Sequence, residues 1–147
     1  MVRSKVSEWI GLEIAAGRYK ILGRVGQGSM GHIYCAYDRN LETDVVLKVP
    51  VSQDLQPDNQ GFLDRFNREV RSLVALSHPH IVKIIDVGEF SGLPFVVMQY
   101  LTGGSLKDRM TAGPQGETRP MELSTLRDWL LDIAKALDFI HSHDVRR

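Results

Sequence analysis

The stretch from Arg18 to Pro50, RYKILGRVGQGSMGHIYCAYDRNLETDVVLKVP, decides how this chain folds. Gly26, Gly28 and Gly31 lie between two runs of strand-forming residues. Tyr19, Ile21, Gly23 and Val25 share one face of a first run, Arg18 to Val25, as the two-residue period of a strand requires. After Gly31 the chain reads His32-Ile33-Tyr34-Cys35-Ala36-Tyr37, rich in β-branched and aromatic types, and turns at Asp38-Arg39-Asn40. It resumes as Asp44-Val45-Val46-Leu47-Lys48-Val49-Pro50. Strand, glycine turn, strand and strand again make a meander.

That order excludes two other glycine-rich architectures. In a dinucleotide-binding βαβ unit the glycines open a helix whose N-terminus carries the pyrophosphate. Here a strand follows instead. A Walker-type loop needs Gly-Lys-Ser/Thr after its last glycine, and here Gly31 leads into His32-Ile33. Without a Cβ the backbone reaches φ > 0 and its amides can approach an anion closely. An ordinary glycine-bearing hairpin fits the same description, so the neighbours of the turn must decide.

Lys48 and Glu69 are those neighbours. Lys48 sits inside the apolar run Val45-Val46-Leu47-Lys48-Val49, where an unpaired ammonium is costly and calls for a carboxylate or a phosphate. A helix is predicted over Gly61 to Leu76, with Phe62, Phe66, Val70 and Leu73 on its inward stripe. Glu69 shares that stripe, away from Asp64, Arg65, Asn67, Arg68 and Arg71. An inward lysine, an inward glutamate and a glycine turn together describe a cradle for phosphates.

The run Gly26-Gln27-Gly28-Ser29-Met30-Gly31-His32-Ile33, then Val45-Val46-Leu47-Lys48, then Glu69, resembles the small lobe of a bacterial, eukaryotic-like serine/threonine protein kinase. Ser77-His78-Pro79-His80-Ile81-Val82 is similar to the family's turn from helix C into strand 4. Phe95-Val96-Val97-Met98-Gln99-Tyr100-Leu101 is similar to strand 5 and the hinge, and Gly103-Gly104-Ser105-Leu106 to the start of helix D. The resemblance implies an α+β fold: a twisted antiparallel five-stranded sheet plus helix C, a hinge, then helices D and E of an incomplete large lobe. Its expected divisions are an N-terminal extension over 1–17, a small lobe over 18–98, a hinge over 99–105 and the start of a large lobe over 106–147.

The resemblance also implies roles. Gly26 to Gly31 would cover the phosphates of ATP, Lys48 would hold the α- and β-phosphates, and Glu69 would fix the Lys48 ammonium. Val25, Ile33 and Val46 would roof the adenine. Met98 takes the gatekeeper position, while the backbone of Gln99 and Leu101 would read the adenine edge and Ser105 would meet the ribose. Leu73 and Ile84 match members of the hydrophobic stack between the lobes. Val46 stands where the family usually has alanine, so extra methyls crowd the adenine slot. Gln99 replaces a commoner glutamate, with little consequence for a backbone contact.

The end of the sequence departs further. The helix predicted over Ser124 to His143 resembles helix E, after which the family reaches a His-Arg-Asp loop within a few residues; this sequence reads Asp144-Val145-Arg146-Arg147. The catalytic aspartate and the asparagine and Asp-Phe-Gly aspartate that hold Mg²⁺ in the full-length family are not in these 147 residues. The expectation is an ATP-binding part of a kinase domain that alone transfers no phosphate. The alternative is a non-catalytic nucleotide-binding or kinase-interacting module. Leu126, Trp129, Leu130, Ile133, Leu137 and Ile140 form one apolar face of helix E, expected to find a protein partner or to fold back.

Composition sets the remaining bounds. Eighteen basic and eighteen acidic residues cancel, which gives no electrostatic reason to expect nucleic acid or an anionic membrane as partner. The single Cys35 forms no internal disulfide and suits a reducing cytoplasm. No stretch approaches the roughly 18 apolar residues of a membrane span, and Glu8, Gly11 and Glu13 break any signal-peptide core. The five histidines show no metal-ligand spacing, so no metal site is expected. Residues 52–60 and 111–120 read as polar links.

Overall fold

The computed structural model describes residues 9–28, 31–50, 60–74, 76–110 and 122–143. Six strands and three helices follow one another: β1 (Glu13–Ile14), β2 (Tyr19–Gly28), β3 (Gly31–Asp38), β4 (Thr43–Val49), α1 (Gln60–Val74), β5 (Ile84–Phe90), β6 (Leu93–Gln99), α2 (Leu106–Met110) and α3 (Leu123–Ser142). The chain divides into two compact units, one made of Met1–Ser77 and Val82–Tyr100, the other of His78–Ile81 and Leu101–Arg147. The two links read as polar, 52–60 and 111–120, fall almost wholly outside the described residues, as do Arg146 and Arg147.

The first unit is an antiparallel sheet in the order β1-β2-β3-β4-β6-β5, with α1 packed against β6. The expected twisted antiparallel sheet with helix C is present and carries a sixth strand. That addition, β1, comes from the segment before Arg18: Glu13 pairs with Lys20 and Ile14 with Tyr19. The pairing continues backwards, since Gly11 N–H donates to Ile21 O at 2.9 Å and Ile21 N–H donates to Leu12 O at 2.9 Å. Two residues of strand carry too little alternation to be read from sequence.

Strand alternation separates two faces of the sheet. Tyr34 and Ala36 of β3 pair with Leu47 and Val45 of β4, and all of these are buried. With Ile14, Tyr19, Ile21, Val49, Phe95 and Val97 they form the core, and Trp9 joins them. On the other face Ile33 pairs with Lys48 and Cys35 with Val46, and these four are half-buried. The apolar core therefore lies on the side of the sheet away from Lys48.

A polar network ties distant parts of the curled sheet together. Asp38, fully buried, receives bonds from Arg18 Nε and Nη2 at 3.1 and 2.9 Å. Arg18 Nη1 reaches Asp86 of β5 at 2.8 Å, and the Tyr19 hydroxyl donates to that same Asp86 oxygen at 2.7 Å. The amides of Asn40 and Leu41 donate to Asp38 Oδ1, the oxygen that also accepts from Arg18 Nε, at 2.8 and 3.3 Å, which fixes the β3–β4 turn. Asp38 is thus both the turn residue expected from sequence and a buried ion-pair partner. Burial and the Asp86 carboxylate push the Tyr19 phenol well above its ordinary range.

The second unit is built on α3. Asp132, Ala136 and Phe139, at i, i+4 and i+7, form one stripe, and Ala136 is buried. His80 Nε2 lies 3.3 Å from Asp132 Oδ1, and the His78 ring is 5.1 Å from that of Phe139. Lys135 Nζ shares the same Asp132 oxygen at 3.1 Å. Leu130, Ile133 and Leu137 lie farther round the helix and are 53%, 50% and 49% exposed, whereas Leu126, Trp129 and Ile140 are half-buried.

Candidate functional site

β2 and β3 form the glycine hairpin, in register through Gly26↔Ile33, Gln27↔His32 and Gly28↔Gly31. Two irregularities interrupt β2, one between Ile21 and Gly23 and one between Arg24 and Gly26, so Leu22 and Val25 are the extra residues. Such bulges bend a strand and re-aim its side chains. Val25, expected over adenine, is 53% exposed at the second one. Ser29 and Met30 lie outside the described residues, as does the side chain of Gln27.

The glycines differ in what they do. A Cβ on Gly31 would lie 2.2 Å from Val49 O, and Gly31 has φ +151°. Backbone packing against β4 therefore requires Gly31, whatever lies above the hairpin. A Cβ on Gly26 would meet nothing within 4 Å, so the Gly26 backbone is open to approach from outside. That openness fits a ligand held by main-chain amides.

Beside the hairpin, Ile33, Val46, Lys48 and Met98 converge. Lys48 lies opposite Ile33 on one side and opposite Val96 on the other, and Val46 lies opposite Met98. Lys48 is half-buried among these apolar residues, and among the described residues it makes no ion pair. Glu69 falls within α1, but its side chain lies outside the described residues, so the expected Lys48–Glu69 pair does too. On α1, Phe66 is buried and Val70 half-buried, as the inward stripe requires, whereas Leu73 is 38% exposed; the Phe62 side chain is outside the described set. Phe66 and Val70 share a groove of about 370 Å³ with Val87, Pro94 and Val96.

Other expected residues have local partners of their own. Gln99 N–H donates to Lys83 O at 3.0 Å, and its side chain is exposed. Leu101 is 60% exposed and belongs to the second unit. In that unit Ser105 caps the short α2: its hydroxyl and amide each donate to Asp108 Oδ2 at 2.7 Å, and Asp108 N–H returns a bond to the hydroxyl at 3.2 Å. The Ser105 hydroxyl and amide hold the Asp108 carboxyl below its usual range. Ser105 is therefore explained as a cap, with its ribose role a separate matter.

Two groups near the hairpin have shifted titration. His32 is buried, its Nδ1 has no hydrogen-bond partner among the described residues, and burial followed by the Arg24 charge lowers its pKa. Cys35 is pushed up by burial and by Asp44, which keeps it as the thiol. Sequence reading missed Trp9, whose ring stacks on Tyr34 at 6.1 Å and meets Phe90 edge-on at 5.3 Å. Its only advance signal was a large aromatic in an otherwise unremarked segment.

A glycine hairpin joined to a lysine-bearing strand, in an antiparallel sheet with one packed helix, defines the small lobe of the protein kinase fold. Residues 19–146 match the protein kinase domain family, and the chain belongs to that family. It is 36% identical over 131 residues to the probable serine/threonine-protein kinase pknA2 of Bifidobacterium longum, a match covering 88% of this chain and 16% of that protein. It is 36% identical over 130 residues to the serine/threonine-protein kinase PrkC of Bacillus subtilis, covering 88% of this chain and 19% of that one. Among solved structures it is similar to the PknI kinase domain of Mycobacterium tuberculosis, with a TM-score of 0.70 at 26% identity, covering 91% of this chain and 51% of that domain. The chain thus spans about half of a solved kinase domain and under a fifth of these two relatives.

Proposed function

We propose that this polypeptide is the ATP-binding part of a serine/threonine protein kinase domain, within a family that transfers the γ-phosphate of ATP to protein hydroxyls. The observation that carries this reading is Lys48 on the half-open face of the sheet, directly across from Ile33 and beside a hairpin whose Gly26 backbone is open. Amides of Gly26 to Gly31 donate to phosphate oxygens, and the Lys48 ammonium neutralises the α- and β-phosphates while Glu69 orients it. Val25, Ile33 and Val46 exclude water over the base. Met98 and the backbone of Gln99 supply its edge. ATP, when bound, supplies the phosphoryl group.

The 147 residues contain neither a His-Arg-Asp nor an Asp-Phe-Gly motif. By itself this polypeptide is therefore expected to bind ATP without transferring its phosphate. No helix among the described residues is long and apolar enough to cross a membrane, and with Cys35 as a thiol we place the protein in the cytoplasm. The half-exposed Leu130, Ile133 and Leu137 favour a second feature, a protein partner covering the α3 face that also carries Leu126, Trp129 and Ile140.

Calorimetric titration with Mg-free ATP tests the nucleotide reading. Wild-type protein should bind and Lys48→Ala should bind at least tenfold more weakly, since a charge-assisted contact is worth roughly 1.5–3 kcal/mol. Equal affinities would remove Lys48 from the site. Phosphotransfer from γ-labelled ATP by the pure polypeptide, lost in Lys48→Ala, would contradict the expected lack of transfer.

A further inference from the structure

From the placement of Trp9 we infer that the segment Trp9–Ile14 is a strap that positions the glycine hairpin, with Trp9 as its anchoring residue. The nucleotide consequence of the strap rests on the function proposed above; its mechanical effect does not.

Trp9 is 4% exposed, so it belongs to the core although it precedes the first long strand. Its ring stacks on Tyr34 with an interplanar angle of 17° and meets Phe90 edge-on at 75°. Tyr34 is on β3 and Phe90 on β5, which are separated in the sheet by β4 and β6. One indole therefore braces two strands that share no ladder. Between Trp9 and β2 the chain is fixed by the Gly11 and Ile21 amide bonds and by the β1 register.

The braced strand is the one that carries the cradle. Tyr34 is flanked by Ile33 and Cys35, which look to the opposite face, and Tyr34 pairs with Leu47, the neighbour of Lys48. The His32 ring lies 6.4 Å from Tyr34 and continues the aromatic row to the base of the glycine turn. A strand moves as a unit, so what holds Tyr34 from behind also sets the height of Ile33 and the turn in front. The bulges in β2 make this support matter, because each one breaks the regular ladder between β2 and β3. Among the described residues the ring partners of Trp9 are Tyr34 and Phe90, neither of them assigned to ATP, so it acts through Tyr34.

The test compares Trp9→Ala, Trp9→Leu and Trp9→Phe in the 147-residue polypeptide, well below their melting temperatures. Amide hydrogen exchange is read across Gly23 to Cys35 and across α3, and Mg-free ATP is titrated in parallel. An aromatic contact of this kind changes an equilibrium by up to about tenfold, so Trp9→Ala should speed hairpin exchange about tenfold, leave α3 unchanged and raise the ATP Kd by a similar factor. Trp9→Phe should restore both. Trp9→Leu keeps apolar bulk without the stacked ring, and carries the comparison if Trp9→Ala does not fold. Unchanged hairpin exchange in a folded Trp9→Leu protein overturns the strap. Faster exchange with an unchanged ATP Kd overturns its positioning role. If wild type binds no ATP, the nucleotide reading fails while the exchange measurement still decides the strap.

Discussion

Ile33 and Lys48 face each other across the β3–β4 ladder, on the side of the sheet away from its apolar core. Lys48 therefore contributes little to holding the lobe together, and its ammonium is held half-buried at a cost. Lys48→Met should leave the unliganded melting temperature unchanged or slightly higher. It should remove most of the rise in melting temperature that ATP produces in wild type. A large loss of stability without ligand would show that Lys48 is a structural ion-pair partner instead.

Gly26 and Gly31 separate binding from packing. Gly31→Ala sets a Cβ 2.2 Å from Val49 O at φ +151°, and should cost about 2 kcal/mol or more in chemical denaturation. Gly26→Ala meets nothing within 4 Å, so its stability should stay within about 0.5 kcal/mol of wild type. Its ATP affinity should nevertheless fall. Two equally destabilised variants would mean that both glycines serve the hairpin alone.

The Arg18–Asp38 pair predicts acid sensitivity. Burial alone would raise the Asp38 carboxyl, but Arg18 and the Asn40 and Leu41 amides outweigh it and lower the pKa from 3.8. A carboxyl depressed on folding stabilises above its unfolded pKa, and that stability is lost as pH falls through the folded value. Wild type should therefore lose stability steeply below about pH 4. Asp38→Ala, which removes the acceptor of the turn amides and leaves Arg18 only its Asp86 partner, should cost about 1–3 kcal/mol at pH 7 and show a flatter acid limb. Parallel acid limbs would exclude Asp38 as the group responsible.

His32 acts in a higher window. Its pKa is lowered from 6.5, so the unfolded chain binds the proton more readily and stability falls as pH drops through and below the unfolded value. Between pH 7.5 and 5.5 the wild-type denaturant midpoint should drop more than that of His32→Phe, which keeps an aromatic ring beside Tyr34. Identical slopes would mean that His32 does not couple protonation to folding.

The meander, the glycine hairpin and both long helices were legible because each has a period or a turn residue that acts within a few positions. Gln60–Val74 and Leu123–Ser142 fall within one or two residues of the predicted spans. The apolar setting of Lys48 was legible from the run around it, but its place on the face away from the core was not, because alternation alone does not say which face is buried. Trp9, the two-residue β1 and the Arg18–Asp86 bridge were not legible either. The partners of Trp9 and Arg18 lie tens of residues away, and long-range pairing leaves no local pattern in a single sequence, while β1 pairs locally but is too short to show alternation. Asp38 was half legible: its turn is local, its ion pair is not. Ser105 was legible only by resemblance, and its cap to Asp108 was an available signal in the spacing Ser-x-x-Asp.

The central claim is that ATP lies over the face carrying Ile33 and Lys48, under the glycine hairpin. Amide chemical-shift mapping of the 147-residue polypeptide on addition of Mg-free ATP tests it most directly. The account predicts the largest changes at Gly26, Ile33, Val46, Lys48 and Met98, with their loss in Lys48→Ala. Changes confined to the α1 groove at Val70, Val87 and Glu89, or to Leu130 and Leu131 on α3, would contradict it.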